Sequence, residues 1–268
     1  MPKADVIIFS GQSNMVGCAE CLSDVNVVDG AFEYKYFENA LVPLKNPVGE
    51  DITLDGERGE VYMQDDKTGM REKTYAAESA AWGHINLVPA FCRAYVKNAD
   101  STTVAVHIAR SATEISEWMP ETPRYAILKK KASLAIEAVK ASFEVRNVYF
   151  VWLQGESDAI AARSKEYYKQ KIAALNDALK NDLDIDKFGI IRVGRFTNDE
   201  RDDAIISAQD EICAENSDFL MLTTIAAELC GKPEYMHPAP QARGHYSAKG
   251  LELLGNAAGE TLGRYSTN

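Results

Sequence analysis

The fold class is set by one segment near the N-terminus, Val6-Ile7-Ile8-Phe9-Ser10, and by the turn after it, Gly11-Gln12-Ser13-Asn14-Met15. The first segment is almost entirely apolar, which is typical of a strand in a parallel sheet covered on both faces. Further segments have the same character, and we expect each of them to be a strand of the same sheet. They are Thr103 to Ala109, Val148 to Leu153, Gly189 to Val193 and Phe219 to Thr223.

Longer amphipathic stretches separate these strands. Between residues 125 and 143, apolar pairs such as Ile127/Leu128 recur near helical spacing, with Lys and Glu between them. Strands that alternate with helices indicate right-handed βαβ units and a doubly wound sheet. We therefore expect one α/β domain over residues 1–268. The other helical patterns cover residues 165–179, 203–214 and 248–262.

The charge balance argues against two classes of partner. The 268 residues include 40 acidic and 29 basic ones, which gives a formal net charge of −11. A field of this sign repels nucleic acid and anionic membranes, so we expect neither as a partner. No apolar run approaches the roughly 18 residues that a transmembrane helix needs. The apolar stretch near the N-terminus is too short for a secretory signal, so we expect a cytoplasmic protein.

One region lacks a regular pattern. From about Asp24 to Tyr75 the chain is rich in Gly, Asp, Glu and Lys without a sustained period. A long irregular stretch inside a compact domain is often a functional loop or a lid over a site. A surface excursion without a function fits equally well, and the sequence does not decide between the two.

The residues that follow each strand are the candidates for function, because open α/β sheets bind ligands beyond the carboxyl ends of their strands. After the first strand, Gly11 allows a small turn that can raise the hydroxyl of Ser13 to the top of the sheet. The turn has no phosphate-binding motif, which argues against a nucleotide-binding protein of flavodoxin type. The residue pattern alone favours a turn or capping serine over a nucleophile.

Two further segments carry titratable groups at predicted loop positions. Gln154-Gly155-Glu156-Ser157-Asp158-Ala159 follows the third strand, where Asp158 is expected to cap a helix that starts near Ala159 and Glu156 to be solvated. Of the histidines, His107 lies inside an apolar strand and is expected in the core. His245 lies where a loop enters the last helix, and its side chain can project over the strand ends.

Together these motifs resemble those of the SGNH (GDSL-like) hydrolases, in the expected order and over nearly the whole chain. The nearest branch contains sialate O-acetylesterases and acetylxylan esterases of carbohydrate esterase family 6. The resemblance implies a three-layer α/β/α sandwich with a mainly parallel five-stranded sheet, and no metal or cofactor. It also reverses the assignment of Ser13, which becomes the nucleophile, with His245 as its base.

The acid of the implied catalytic triad is harder to assign than the nucleophile and the base. Many SGNH enzymes carry Asp three residues before the catalytic His, and this position is Ala242 here. Carbohydrate esterases of this branch can use the glutamate of the Gln-Gly-Glu motif, so we expect Glu156 to take this role. Asp158 and Glu234 are the reserves.

The tetrahedral intermediate also needs hydrogen-bond donors for its oxyanion. The backbone amide of Ser13 is one candidate and the side-chain amide of Gln154 is another. The turn after the second strand is a third source, although Ser111 and Ala112 stand where the family carries glycines. The expected oxyanion or substrate-binding residues are Gln12, Asn14, Arg110, Ser111, Ala112 and Gln154.

Several other side chains could contact a sugar. Four aromatic side chains in predicted loops could either stack on sugar rings or anchor the loops. They are Trp82, Trp118, Tyr62 and Tyr235. A sugar carboxylate is a possible partner for arginine, but surface salt bridges are the favoured interpretation. The arginines concerned are Arg110, Arg195 and Arg243.

The leading hypothesis is therefore a metal-independent serine esterase that removes O-acetyl groups from a carbohydrate such as acetylxylan or an acetylated sialic acid. Ala242 and the missing glycines leave a second hypothesis open, a catalytically degenerate protein that only binds glycans. A third is a serine hydrolase that acts on other short acyl esters, thioesters or lipids.

Overall fold

A central sheet is the core of the computed structural model, which describes residues 1–17, 19, 26–49, 54–55, 60–61, 85–239 and 242–267. Seven strands lie in the order β3-β2-β6-β1-β7-β8-β9, and all neighbours are parallel except the pair β2 and β3. The strands are β1 (Lys3–Gly11), β2 (Ala31–Lys35), β3 (Ala40–Pro43), β6 (Thr102–Ala109), β7 (Glu144–Leu153), β8 (Lys187–Ile191) and β9 (Phe219–Thr223). A separate antiparallel pair consists of β4 (Leu54–Asp55) and β5 (Glu60–Val61).

The five predicted strands are all present, but the predicted number of strands in the sheet is too small. The added strands are β2 and β3, which lie inside the stretch 24–75 that we expected to be irregular. They form a hairpin on the outer side of β6, where β2 is short and has a polar residue among its buried ones, and β3 at the edge is only partly buried. Much of the rest of that stretch lies outside the described residues.

Helices flank the sheet and are its outer layers. The predicted helices are confirmed, and a further helix over Val88–Ala99 was not predicted. The described helices are α1 (Ser13–Val16), α2 (Val88–Ala99), α3 (Pro123–Lys140), α4 (Glu156–Ile160), α5 (Lys165–Leu183), α6 (Glu200–Glu215), α7 (Ala226–Leu229) and α8 (Ala248–Tyr265), with 3₁₀ turns at Ile115–Trp118 and Pro233–Tyr235.

Side-chain caps explain where the long helices begin. Thr122 accepts a hydrogen bond from the amide of Tyr125 at 3.2 Å and starts α3. Ser247 accepts from the amide of Gly250 at 3.2 Å and starts α8. Each bond satisfies one of the backbone donors that the first turn of a helix leaves without a partner.

The two sides of the sheet carry different groups of helices. On one side α2 packs along α8, and on the other α3, α5 and α6 pack side by side. Because both faces are covered, the central strands are apolar at nearly every position, and Val6, Ile7, Ile8 and Phe9 of β1 are fully buried.

The strand order places β1 at the point where the chain changes direction across the sheet. Its neighbours are β6 and β7, so the segments that follow these three strands meet at one edge. Open α/β sheets bind their ligands at such a point. Among the described residues, no helix is long and apolar enough to span a bilayer.

Candidate active site

The turn after β1 is shaped by a close approach of two backbones. Gly11 has φ +144°, and a Cβ atom at this position would lie 2.0 Å from the carbonyl oxygen of Leu153 on the neighbouring strand. Only glycine fits there. The chain can therefore turn sharply, and Ser13 becomes the first residue of the short helix α1, with 7% of its surface exposed.

Gln12 ties this turn to the segment after β7. Its Oε1 accepts hydrogen bonds from the amides of Gly155 at 3.3 Å and Ser157 at 3.1 Å. We expected Gln12 among the oxyanion or substrate-binding residues. In the structure it is buried, and its oxygen holds two neighbouring segments together.

Asn14 joins three segments of the site. Its Nδ2 donates to Oε1 of Glu156 at 2.8 Å, and its Oδ1 accepts from the amide of Tyr246 at 3.2 Å. Ser13 and His245 directly precede the two residues of the second bond, so this contact brings the segments that carry them side by side. Asn14 thus connects parts of the chain, where we expected it to meet the substrate or an oxyanion.

His245 is oriented by a backbone oxygen. Its Nδ1 lies 3.0 Å from the carbonyl oxygen of Ala242. A carbonyl can only accept a hydrogen bond, so Nδ1 carries the proton and Nε2 is the basic nitrogen. Burial lowers the pKa of His245 below its ordinary value of 6.5, and the nearby His237 lowers it further. The imidazole is therefore neutral at neutral pH, as a general base must be.

The structure differs from the expectation that Glu156 orients this histidine. Oε1 of Glu156 accepts from Asn14, and Oε2 has no hydrogen-bond partner among the described residues. Burial raises the pKa of Glu156. The reserve candidates do not replace it, because Asp158 bonds to the turn after β6 and no hydrogen bond joins the exposed Glu234 to His245 among the described residues. No carboxylate among the described residues therefore bonds to Nδ1 of His245.

Gln154 and Asp158 are occupied by the turn after β6. Nε2 of Gln154 donates to the carbonyl of Thr113 at 2.8 Å and to Oδ2 of Asp158 at 2.5 Å. The same Oδ2 accepts from the amide of Ile115 at 2.9 Å. Both amide hydrogens of Gln154 are thus used inside the protein, whereas we expected this amide to face the oxyanion. Asp158 holds Ile115, whereas we expected it to cap a helix near Ala159.

The turn after β6 lies directly beside Ser13. The amide of Arg110 donates to the carbonyl of Gly11 at 2.9 Å, which continues the pairing of β6 with β1. Ser111 and Ala112 are exposed, and Ala112 has φ +56°, in the left-handed region that favours glycine. Alanine therefore adopts here the left-handed conformation that the glycines of the family would adopt easily.

Thr113 was missed by sequence reasoning although it closes this turn. Its hydroxyl donates to the carbonyl of Arg110 at 2.9 Å and accepts from Nε1 of Trp118 at 3.0 Å. A single threonine in a loop gives no signal of this kind, because both of its partners are set by the fold. The sequence showed only that Ala242 stands where the family carries Asp. It could not show that the backbone carbonyl of Ala242 contacts His245 in place of that side chain.

The candidate sugar-binding side chains have different fates. Trp118 is fully buried, so it anchors its loop and is closed to a sugar ring. Tyr235 is half-buried, with Nζ of Lys249 4.8 Å from the centre of its ring. Tyr62 and Trp82 lie outside the described residues.

Of the three arginines, Arg195 is the one that the described residues show in a surface salt bridge, the favoured interpretation. Arg195 forms an exposed salt bridge with Asp203 at 2.5 Å. Arg110 is half-buried, and its backbone amide is used in the pairing described above. Arg243 is exposed two residues before His245, which leaves it the best placed of the three to meet a charged ligand.

With this geometry established, comparison with protein families identifies the chain. The family model described as carbohydrate esterase, sialic acid-specific acetylesterase matches residues 3–258. The chain belongs to this family. It is therefore an esterase of the SGNH type, as its motifs predicted. A search of curated proteins gives no match.

Solved structures share the fold over almost the full length of the chain. A protein from Arabidopsis thaliana is 18% identical with a TM-score of 0.63, and the match covers 98% of each chain. NanS is 12% identical with a TM-score of 0.60, covering 99% of this chain and 98% of its own. A lipase/acylhydrolase from Enterococcus faecalis is 12% identical with a TM-score of 0.50, covering 98% and 96%. At these identities the likeness establishes the fold.

Proposed function

We propose that this protein removes O-acetyl groups from an acetylated carbohydrate through an acetyl-enzyme on Ser13. The observation that carries the proposal is the pair of hydrogen bonds made by the side chain of Asn14. They hold the segments of Ser13 and His245 together at the carboxyl ends of the strands. The family description supports the same reaction class and points to acetylated sialic acids as substrates.

The reaction begins with attack on the ester. Oγ of Ser13 adds to the acetyl carbonyl while Nε2 of His245 takes the hydroxyl proton. The carbonyl oxygen becomes an oxyanion, for which backbone amides of Ser13 and of the turn at Ser111 and Ala112 are the proposed donors. When the bond to the sugar oxygen breaks, His245 returns the proton to that oxygen and the sugar alcohol leaves. Water then attacks the acetyl-enzyme in the same way and releases acetate.

The carbonyl of Ala242 takes the orienting role in this mechanism. It fixes the tautomer of His245, which is one of the two tasks of a triad carboxylate. The second task is to stabilise the imidazolium, and for this the carbonyl oxygen offers a partial negative charge where a carboxylate offers a full one. Acetyl esters suit such a site, because a sugar alcohol leaves more readily than an amine and demands less of the general acid.

Arg243 supports an anionic sugar as the substrate. It is exposed, lies in the loop that carries His245 and forms no ion pair with another described residue. A guanidinium matches a carboxylate in shape and charge and can bind it with two hydrogen bonds. An acetylated sialic acid offers both the ester and the carboxylate.

The test is hydrolysis of a panel of acetylated xylan, acetylated sialic acid and simple sugar acetates, with Ser13→Ala as the control. We expect the variant to stay folded and to lose turnover by a factor of about 10⁴ or more, because nucleophile and base act as one unit. A fluorophosphonate should label Ser13 of the wild-type protein. If Ser13→Ala retains its turnover, the nucleophile is another residue.

The two other hypotheses predict different results in the same experiment. A protein that only binds glycans would hydrolyse nothing and would not react with the fluorophosphonate. A hydrolase for lipids or thioesters would prefer long acyl chains in a chain-length series, whereas we expect acetyl to be preferred.

A further inference from the structure

The segment from Gln154 to Asp158 contributes no group to the mechanism above, yet its polar side chains are buried. Gln154 and Asp158 are fully buried and Glu156 is 4% exposed. Burying polar and charged groups is unfavourable unless they are bonded to something that the fold needs. Each of these side chains forms at least one hydrogen bond to another segment of the site.

The most concentrated of these contacts lies under the turn after β6. Asp158 accepts from the amide of Ile115 at 2.9 Å, and Gln154 donates to the carbonyl of Thr113 at 2.8 Å. Gln154 and Asp158 are also joined to each other at 2.5 Å. One donor and one acceptor of the turn are therefore fixed by the segment that follows β7, on the other side of β1.

This turn needs support, because Ala112 within it adopts a left-handed conformation. A conformation that is unfavourable for a residue with a Cβ persists only when its surroundings hold it. The fixed groups of Thr113 and Ile115 follow Ala112 directly. Thr113 closes the turn through its bond to the carbonyl of Arg110, and the two buried side chains hold the turn from the inner side.

We propose that Asp158, together with Gln154, is a positioning residue that holds the turn 111–115 beside Ser13 in the shape that catalysis requires. This inference rests on the proposed function, since it assigns the turn a part in stabilising the oxyanion. Asp158 touches no reacting atom and acts through Ile115 and through Gln154. It is therefore distinct from a triad acid, which must contact the histidine.

The geometry also shows which property of Asp158 matters. Its Oδ2 accepts both hydrogen bonds, whereas Oδ1 has no partner among the described residues. An asparagine can place its oxygen where Oδ2 lies and its amide where Oδ1 lies. The turn would then remain fixed without a negative charge. A carboxylate that served as an acid in catalysis could not be replaced in this way.

The experiment compares Asp158→Ala and Asp158→Asn in the full chain, with an aryl acetate as the substrate. We expect Asp158→Ala to lower kcat on the order of a hundredfold, the size of effect that a misplaced site produces, with little change in KM. Asp158→Asn should restore most of the lost kcat, although the buried amide reduces its thermal stability.

The matched control is Asp186→Ala, directly before the first residue of β8 and at the edge of the sheet opposite the site. Oδ2 of Asp186 accepts from the amide of Val148 at 2.7 Å, so the change removes the same kind of contact far from the site. It should lower stability and leave kcat unchanged. If Asp158→Ala does not fold, Gln154→Met tests the same turn, since it removes the amide that donates to Thr113 and Asp158 together with the oxygen that accepts from Tyr168. It should also lower kcat by a larger factor than it changes KM.

The possible failures can be told apart. Wild-type protein that hydrolyses no ester would overturn the proposed function. Wild-type kcat in Asp158→Ala, or in Gln154→Met where the alanine variant does not fold, would overturn the positioning role alone. An Asp158→Asn variant as slow as Asp158→Ala would show that the charge itself is required, which also contradicts the proposal.

Discussion

His245 faces an oxygen that carries no full charge. In a complete triad a carboxylate both orients the imidazole and raises its affinity for a proton. The carbonyl of Ala242 supplies only the first effect, while burial and the neighbouring His237 disfavour the imidazolium. The pH dependence of catalysis should therefore reveal which oxygen is present.

We expect the acidic limb of kcat/KM to have its midpoint below pH 6.5, the ordinary pKa of histidine. The pKa of His245 is lowered and its neutral form is the active one, so activity is lost only as the pH falls through this lowered pKa. The measurement is kcat/KM against pH with an uncharged aryl acetate. An acidic limb above 6.5 would indicate a carboxylate beside the imidazole.

The substitution Glu156→Gln separates a structural carboxylate from a catalytic one. The glutamine oxygen can accept from Asn14 as the carboxylate does, so we expect kcat to fall by less than about tenfold. Disabling the carboxylate of a working triad costs about 10⁴ in kcat. Asn14→Ala is the comparison, because it removes both bonds and should be far slower than Glu156→Gln. Equal losses in the two variants would contradict this assignment.

The sequence identifies Ser13 as a candidate nucleophile only through the family resemblance of its motifs, because the residue pattern alone favours a turn or capping serine. The partners of Glu156, Gln154 and Asp158 are different, because any carboxylate or amide after a strand can turn to several neighbours. Which neighbour is nearest depends on how loops pack, and a backbone carbonyl such as that of Ala242 is present at every residue. These contacts could not be predicted from the sequence.

At the scale of elements, the contact between α2 and α8 is unusually close. Gly255, Gly259 and Gly263 lie along one side of α8 and face the backbone of α2. A Cβ at Gly259 would lie 2.1 Å from the carbonyl oxygen of Phe91. Glycine lowers helix stability, so its presence here reflects the short distance between the helices.

Gly259→Ala should therefore destabilise the protein, although alanine is the better helix former by about 1 kcal/mol. The new methyl group meets backbone that cannot move aside, and overpacking of this kind costs about 1 to 3 kcal/mol. The measurement is the free energy of unfolding by urea. Gly231→Ala is the control, since nothing lies within 4 Å of the added Cβ there. A Gly259→Ala variant as stable as wild type would mean that the helices can separate freely.

The elements that the sequence predicted share one property, which is burial strong enough to leave a pattern. The strand Val148 to Leu153 and the helix 165–179 are examples. In the hairpin of β2 and β3 the signal is weaker, because β2 is short and includes a buried Glu33, and β3 at the edge is partly exposed. The helix α2 also has an amphipathic pattern, with Arg93 and Lys97 exposed and the opposite face buried against the sheet and α8, so it could have been predicted from the sequence.

At the scale of the whole molecule, a buried charge stabilises the edge of the sheet opposite the site. Asp5 is fully buried and accepts from Arg146 at 3.0 and 2.5 Å, from the hydroxyl of Tyr95 at 2.7 Å and from Asn147 at 2.8 Å. Burial alone would raise the pKa of Asp5, but these bonds outweigh it and the pKa lies below 3.8. The group is thus ionised in the folded protein at any ordinary pH.

We expect Asp5→Ala to lower the free energy of unfolding by about 3 to 5 kcal/mol, because it leaves Arg146 and two other donors without their partner. Since the pKa is lowered, the stabilisation is present above the pKa of the unfolded chain and is lost as the pH falls through the folded value. Urea unfolding at neutral and acidic pH measures both effects. Tyr95→Phe, which removes a single bond, should cost less. An equal cost would contradict the dominant role of the ion pair.

The position of Asp5 has a consequence for how this protein can change. Asp5 is at the start of β1 and Ser13 lies just past its end, about 25 Å away at the rise of an extended chain. Random libraries over the exposed residues Ser111, Ala112 and Arg243 should therefore alter substrate preference while the melting temperature stays nearly constant. The scaffold is suited to directed evolution, because the residues that stabilise the fold around Asp5 and those that surround Ser13 lie at opposite edges of the sheet.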